Sequence, residues 1–487
     1  MGGMTVETIL GRMFIDGNWE RGERERFRVV NPANGQQVGD APIASDEDVA
    51  RAIDAASRAF RGWSGLPAED RSKYLHAIAD EVMNQIDDLA RMVTLEQGKP
   101  YNEARAEVKY GADFWRWYAE EARRVYGEIV PAPRGRRIAV IKQPTGVTAA
   151  ITPWNFPSSM VSRKLAPALA AGNTVILKPA EQTPLSAVLL FEIFEKVGLP
   201  EGVANLVTGR PEHIGGILMN DFRVRHVTFT GSTEVGLLLA KQAAAQLKRV
   251  SLELGGHAPI IVFADADLDL AVEQILASKL RNMGQACISA NRLLVEGPIA
   301  EDFHSKLASR LESLRIGDGS VDGVQVGPVI DEQSFNKISS QVDEAKNEGA
   351  HILVGGERWL GSTEGYFYRP TLVTEVTPAM RLFREETFGP VLASTVFHSE
   401  QEAILLANDC TYGLASYLFT PDIDKATRVS EALEFGVVGI NNALPMAAQA
   451  PWGGWKLSGV GREGGHWGID EFLETKYLSI GVTEQTR

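Results

Sequence analysis

Residues 45–63 place Val49, Ile53, Ala56 and Phe60 at helical spacing, with charged side chains between them. Ser45 stands where an N-cap would, and Asp48 follows three residues on, the arrangement of a capping box. Helical periodicity continues through 79–98, ending at Gly98, and again through the aromatic-rich stretch 111–127. Ahead of these, residues 14–43 break short apolar runs with Gly, Asn and Pro, as short strands and turns do. From residue 146 the texture changes. GVTAAIT (146–152), TVILKP (174–179), VANLVTG (203–209), RHVTFTG (225–231) and VSLELGG (250–256) are apolar runs of strand length, and helical patterns such as 158–173 and 183–198 separate them. Strand–helix–strand repetition of this kind predicts a parallel sheet with helices on both faces. A second series follows: APIIVF (258–263), a helix over 267–284, then NRLLVEGPI, AHILVGG, PVLASTVF, YGLASYLFT and FGVVGIN with helices between. The predicted architecture is therefore two α/β units facing each other, with ligands at the carboxyl ends of the strands. Residues 125–143 read as a hairpin-like excursion without a core of its own, which predicts pairing with another segment.

A chain of 487 residues exceeds one simple core, so two or three domains are expected. With 44% hydrophobic and 23% charged residues it has an ordinary globular composition. No apolar run approaches a membrane span, and the opening residues lack a signal-peptide profile, so a cytoplasmic protein is expected. The net charge of −14 argues against nucleic-acid or anionic-membrane partners, while leaving room for a local basic pocket. The only two cysteines, Cys287 and Cys410, do not make a disulfide framework. No His, Cys and carboxylate cluster has metal-ligand spacing, so no metal is expected.

Cys287 lies in GQACISANR, among small and polar neighbours between two regular elements. Two readings are open: an inert small core residue, or a nucleophile whose thiolate needs a polar niche. Glu253, between Leu252 and Leu254 at the end of a strand, is either a solvent-facing residue or a general base, and the following Gly255 and Gly256 suggest close backbone approach there. Asn155, held between Pro153 and Pro157, is a turn residue or a rigid amide donor for an oxyanion. Gly231 ends a strand and opens a helix that could receive a phosphate. Lys178 and Glu181 are surface charges or ribose contacts.

Together TPWNFP, KPAEQTP, FTGSTEVG, LELGG, GQACISANR, EETFGP and PWGGWKLSGVGREG, in that order, resemble the aldehyde dehydrogenase superfamily over nearly the whole chain. The resemblance implies the aldehyde dehydrogenase-like α/β fold, with a dinucleotide-binding domain from 1–124 and 144–255, a catalytic domain over 256–465, and bridging segments at 125–143 and 466–487 that join copies into a homodimer or homotetramer. Cys287 would attack the aldehyde, Asn155 and the Cys287 backbone N–H would hold the oxyanion, and Glu253 would activate the water that hydrolyses the thioester. Lys178 is counted with this catalytic set and, with Glu181, as an adenosine-ribose contact. Gly231 and Ser232 would start the pyrophosphate-binding helix, Glu386 and Phe388 would meet the nicotinamide ribose, and Thr152, Pro153, Trp154 and Leu254 would complete the cofactor cleft. A carboxylate at Glu181 repels a 2′-phosphate, so NAD is expected in preference to NADP.

Within the superfamily, the C-terminal half is most similar to the succinate-semialdehyde dehydrogenases. That group holds the distal carboxylate of its substrate with two arginines, matched here by Arg163 and Arg281, whose planar forks suit a carboxylate. It also uses a serine in the loop before the final glycine motif, where this chain has Met446 and Ala447. An acidic semialdehyde is the first expectation. A 2-oxoglutarate semialdehyde, or a larger uncharged or aromatic aldehyde favoured by Met446, Trp452 and Trp455, is the alternative. Rivals of another class are a CoA-acylating dehydrogenase, which typically lacks the glutamate present here as Glu253, and a catalytically silent binding protein.

Overall fold

The computed structural model describes residues 9–20, 25–362 and 364–482. The capping box forms: the Ser45 hydroxyl accepts from the Asp48 N–H, the Asp48 carboxylate accepts from the Ser45 N–H at 2.8 Å, and the helix Asp46–Ser64 buries Val49, Ile53 and Ala56. The periodic stretch 79–98 belongs to two helices, Ala68–Asn84 and Ile86–Gln97, broken at Gln85. Both pack on the long helix Tyr101–Glu121, so the apolar stripe carries across the break and hides it from a periodicity argument. That long helix begins ten residues before the expected 111. Gly111, which reads as a helix boundary, is an interior contact point: a Cβ there would stand 2.9 Å from the Ser162 hydroxyl of the helix Ser159–Ala171.

An eight-stranded sheet runs in the order Gly459–Val460, Arg249–Glu253, Val224–Thr230, Val147–Ile151, Thr174–Lys178, Ala204–Leu206, Met13–Ile15, Asn18–Glu20. Its five central strands are parallel, and antiparallel strands close both edges. The register aligns Ile151 with Lys178 and with Phe229, and Thr230 with Glu253, so the carboxyl ends of the strands present the expected site residues side by side. The edge strand Gly459–Val460 returns from late in the chain to pair with Leu252 and Glu253.

A seven-stranded sheet follows, ordered His351–Val354, Thr371–Thr374, Val391–Phe397, Ala290–Glu296, Ala258–Val262, Ala415–Phe419, Val437–Ile440, parallel except at its first pair. The excursion at 125–143 folds as the strands Glu128–Val130 and Arg136–Pro144, and it finds its partner within the chain: Leu473–Gly481 pairs along the whole of Arg136–Pro144. Ile129, Tyr477 and Ile480 remain exposed on this three-stranded sheet. Among the described residues no helix is long and apolar enough to cross a membrane, and no group of three His, Cys, Asp or Glu could hold a metal ion.

Candidate active site

The helix expected over 267–284 stops at Leu280. Asn282 and Met283 then take left-handed conformations at φ 50° and 54°, and Gly284 follows at 73°. Left-handed backbone is unfavourable for side-chain-bearing residues and persists where surroundings over-determine it. Here the Asn282 N–H donates to the Glu103 carboxylate at 2.8 Å, and its side-chain amide donates to the Asn155 carbonyl at 2.8 Å. These bonds come from distant segments, so local periodicity carried the helix too far. Cys287 is delivered just beyond the turn and is partly open to the cleft. A Cβ on Gly256 would run into the Cys287 carbonyl, so the glycine pair after Glu253 lets the two segments touch.

The Asn155 side-chain nitrogen donates to the Gln285 carbonyl at 2.9 Å, which leaves its second N–H for another acceptor. Glu253 is buried, and its Oε2 has no hydrogen-bond partner among the described residues. Burial, reinforced by the neighbouring Glu463, raises the Glu253 carboxyl well above the ordinary range. Burial likewise pushes the Cys287 thiol up to about 12, against the pull of Arg163. Glu463 sits between two cations, Arg163 and Lys164, each at 2.8 Å, and these hold its carboxyl low against the effect of burial.

One cleft of about 380 Å³ is lined by Cys287, Asn155, Pro153, Trp154, Gly231, Ser232, Leu254, Glu386 and Phe388, together with Lys337. Trp154 and Phe388 meet edge to face at 5.5 Å. Ser232 caps the helix Thr233–Ala244 at its start, where free N–H groups favour an anion. The Glu386 carboxylate accepts from the Gly256 N–H at 2.9 Å, and burial raises its pKa to about 7. A polar helix start, paired rings and a carboxylate beside the sulfur fit a nicotinamide dinucleotide. Thr152 donates its N–H to the Lys178 carbonyl at 3.1 Å, while its buried hydroxyl has no partner among the described residues. Lys178 and Glu181 do not line this cleft; they pair with each other at 2.9 Å.

A second cavity, of about 500 Å³, is lined by Arg281, Tyr110, Phe156 and Met446. The Arg281 guanidinium lies 4.5 Å from the centre of the Phe156 ring and donates to the Met446 sulfur. Arg281 makes no ion pair among the described residues, whereas Arg163 is taken up by Glu463 and stacks 5.1 Å over Trp452. Ala447 is half-buried beside Met446 and does not line the cavity. Glu463, Lys164, Lys99, Glu107, Tyr110 and Phe156 were not singled out by sequence reasoning. Glu463 and Phe156 lie inside the quoted motifs; Lys99 and Glu107 fall between the expected helices 79–98 and 111–127, where no signal marked them.

Cys287 and the Asn155 amide stand at one cleft whose lining fits a dinucleotide, and the buried Glu253 directly precedes its lining residue Leu254, the arrangement of an oxidoreductase acting on a carbonyl compound. The aldehyde dehydrogenase family profile matches residues 19–478, and the chain belongs to that family. It is an aldehyde dehydrogenase. Among its relatives are the 3-sulfolactaldehyde dehydrogenase of Pseudomonas putida, 48% identical over 97% of both chains. The NADP(+) succinate-semialdehyde dehydrogenase GabD of Escherichia coli is 47% identical over 96% of this chain and 97% of the relative. The glutarate-semialdehyde dehydrogenase of Pseudomonas putida KT2440 is 46% identical with the same coverage. The crystal structure of an NADP-dependent enzyme from E. coli superposes with a TM-score of 0.95 at 46% identity, covering 97% of this chain and 98% of its own. That of Staphylococcus aureus betaine aldehyde dehydrogenase with NAD+ gives 0.95 at 40% identity, covering 99% and 96%.

Proposed function

We propose that the protein oxidises a short aldehyde carrying an anionic group at its far end, with succinate semialdehyde as the leading substrate, to the corresponding acid. The observation that carries this reading is Arg281. Its guanidinium is partly buried, lines the cavity, and spends a donor on a thioether, which is a weak acceptor. A carboxylate or sulfonate displacing Met446 gains charge-assisted bonds and costs Arg281 little. The named substrates of the three relatives include carboxylate and sulfonate aldehydes, in keeping with this chemistry. Arg163 is neutralised by Glu463, so Arg281 is the cation offered to the substrate, and Met446 lines the pocket in place of a hydroxyl donor.

In this reading Cys287 Sγ attacks the aldehyde carbon, and the resulting oxyanion takes the remaining Asn155 N–H and the Cys287 backbone N–H. A dinucleotide held along Trp154, Ser232, Glu386 and Phe388 would supply the hydride acceptor, and loss of hydride from the Cys287 adduct would give the Cys287 thioester. Glu253 takes a proton from water, the hydroxide adds to the thioester carbon, and the thiolate departs with the acid as product. Burial raises the Glu253 carboxyl pKa, which makes its ionised form a stronger base. Its presence favours hydrolysis over transfer to CoA. Residues 1–124 with 144–255 carry the dinucleotide, 256–465 supply the nucleophile, and 125–143 with 466–487 bridge copies of the chain into a dimer or tetramer. NAD is the preferred cofactor, because the partly exposed Glu181 carboxylate repels a 2′-phosphate and the adjacent Lys178 is already paired with it.

Initial rates with succinate, glutarate and 2-oxoglutarate semialdehydes, an alkanal and benzaldehyde, run with NAD and with NADP, test the reading. The acid semialdehydes should win, and Arg281→Ala should lower their kcat/KM by on the order of 100-fold while leaving the alkanal nearly unchanged. A wild type that favours the alkanal or benzaldehyde would sink the anion clamp, and a higher kcat/KM with NADP would overturn the cofactor preference.

A further inference from the structure

We infer that the buried Lys99–Glu107 ion pair is a positioning device that aims the Asn155 amide, an inference that rests on the reading of Asn155 as oxyanion donor. Lys99 stands just ahead of the helix Tyr101–Glu121 and Glu107 within it, and their side chains, 0% and 1% exposed, meet at 2.6 Å. The Lys99 ammonium has three uses. It pairs with Glu107, donates to the Asn155 carbonyl at 2.7 Å, and lies 3.9 Å from the centre of the Phe156 ring. The other Glu107 oxygen accepts from the Ser158 and Ser159 N–H groups at 2.9 and 3.1 Å, tying down the start of the helix that follows Asn155. The pair thus grips both sides of residue 155: its own carbonyl, and the backbone three and four residues on.

The same carbonyl of Asn155 also accepts from Asn282, whose side-chain amide reaches the Gln285 carbonyl at 3.2 Å, the atom that receives the Asn155 side chain. Gln285 in turn donates to the Asn282 carbonyl and accepts from the Ile330 N–H at 2.8 Å. The amide donor and the loop bearing Cys287 are therefore one hydrogen-bonded unit, and Lys99 is its charged end. A buried ion pair is a poor stability device compared with apolar packing of the same volume. Its geometric specificity is what this location uses. Gly98, at φ +93°, permits the bend that sends Lys99 inward: a Cβ there would stand 2.7 Å from Pro32 and 2.8 Å from Pro328.

The test is Lys99→Met/Glu107→Gln, which removes both charges while keeping length. Its kcat should fall by on the order of tenfold to a hundredfold, the cost of a misplaced catalytic group. KM, thermal midpoint and the iodoacetamide alkylation rate of Cys287 should change little. Added to Asn155→Ala, the double substitution should cost nothing further, because the pair acts through that amide. Wild-type kcat, or a loss that multiplies with that of Asn155→Ala, would overturn the inference. If Asn155→Ala itself leaves oxidation intact, the reading of the reaction fails instead. Should the double variant fail to fold, Lys99→Arg keeps the charge but moves the donor. It should then show the same selective fall in kcat, and unchanged kcat would count against positioning.

Discussion

Burial disfavours the charged form of both Cys287 and Glu253, although the chemistry needs a thiolate and a carboxylate. Well below about 12, where the thiol titrates, its thiolate fraction rises about tenfold with each unit rise in pH. Alkylation of Cys287 by iodoacetamide in the enzyme without cofactor should therefore climb about tenfold per unit from pH 7 to 10. A plateau below pH 8 would show that the surroundings stabilise the thiolate instead. Glu253→Gln keeps shape and removes the base. It should leave a rapid first turnover of reduced cofactor and slow the steady state by roughly 100-fold or more, as stopped-flow absorbance would reveal. Equal loss in both phases would place Glu253 before the thioester.

At the level of elements, Glu253 owes its place to an edge. The strand Gly459–Val460 pairs Gly459 with Glu253, and the Leu254 N–H donates to the Ser458 carbonyl at 2.9 Å. Gly459 has a φ of +152°, and a Cβ on it would collide with the Leu252 carbonyl. Gly459→Ala should force this strand off the sheet, cost about 2 kcal/mol of stability, and depress turnover more than cofactor binding. Calorimetry and a binding titration would separate the two. Gly216→Ala, where nothing lies within 4 Å, is the matched control and should do neither.

For the whole molecule, the sheet of Glu128–Val130, Arg136–Pro144 and Leu473–Gly481 is not hydrogen-bonded to the two larger ones and carries exposed Ile129, Tyr477 and Ile480. An exposed apolar edge of this kind invites pairing with another chain. Light scattering of the wild type at micromolar concentration should report a dimer or tetramer, and Ile129→Lys with Tyr477→Lys should lower that mass while each subunit stays folded. A monomeric wild type would remove the bridging role.

Local chemistry was enough to read the buried strands, the capped helix at Ser45 and the linear motifs around Asn155, Glu253 and Cys287, because burial pattern, capping and motif order are written in neighbouring residues. It also marked the 125–143 hairpin as needing a partner. It could not see the break at Gln85 or the early start at Tyr101, since one apolar stripe spans both. Nor could it see where the helix before Cys287 stops, because Glu103 and Asn155 decide that from far along the chain. The two arginines look alike in sequence. Only the tertiary structure gives Glu463 to Arg163 and leaves Arg281 facing a cavity, because ion pairing depends on which side chains the packed elements bring within reach.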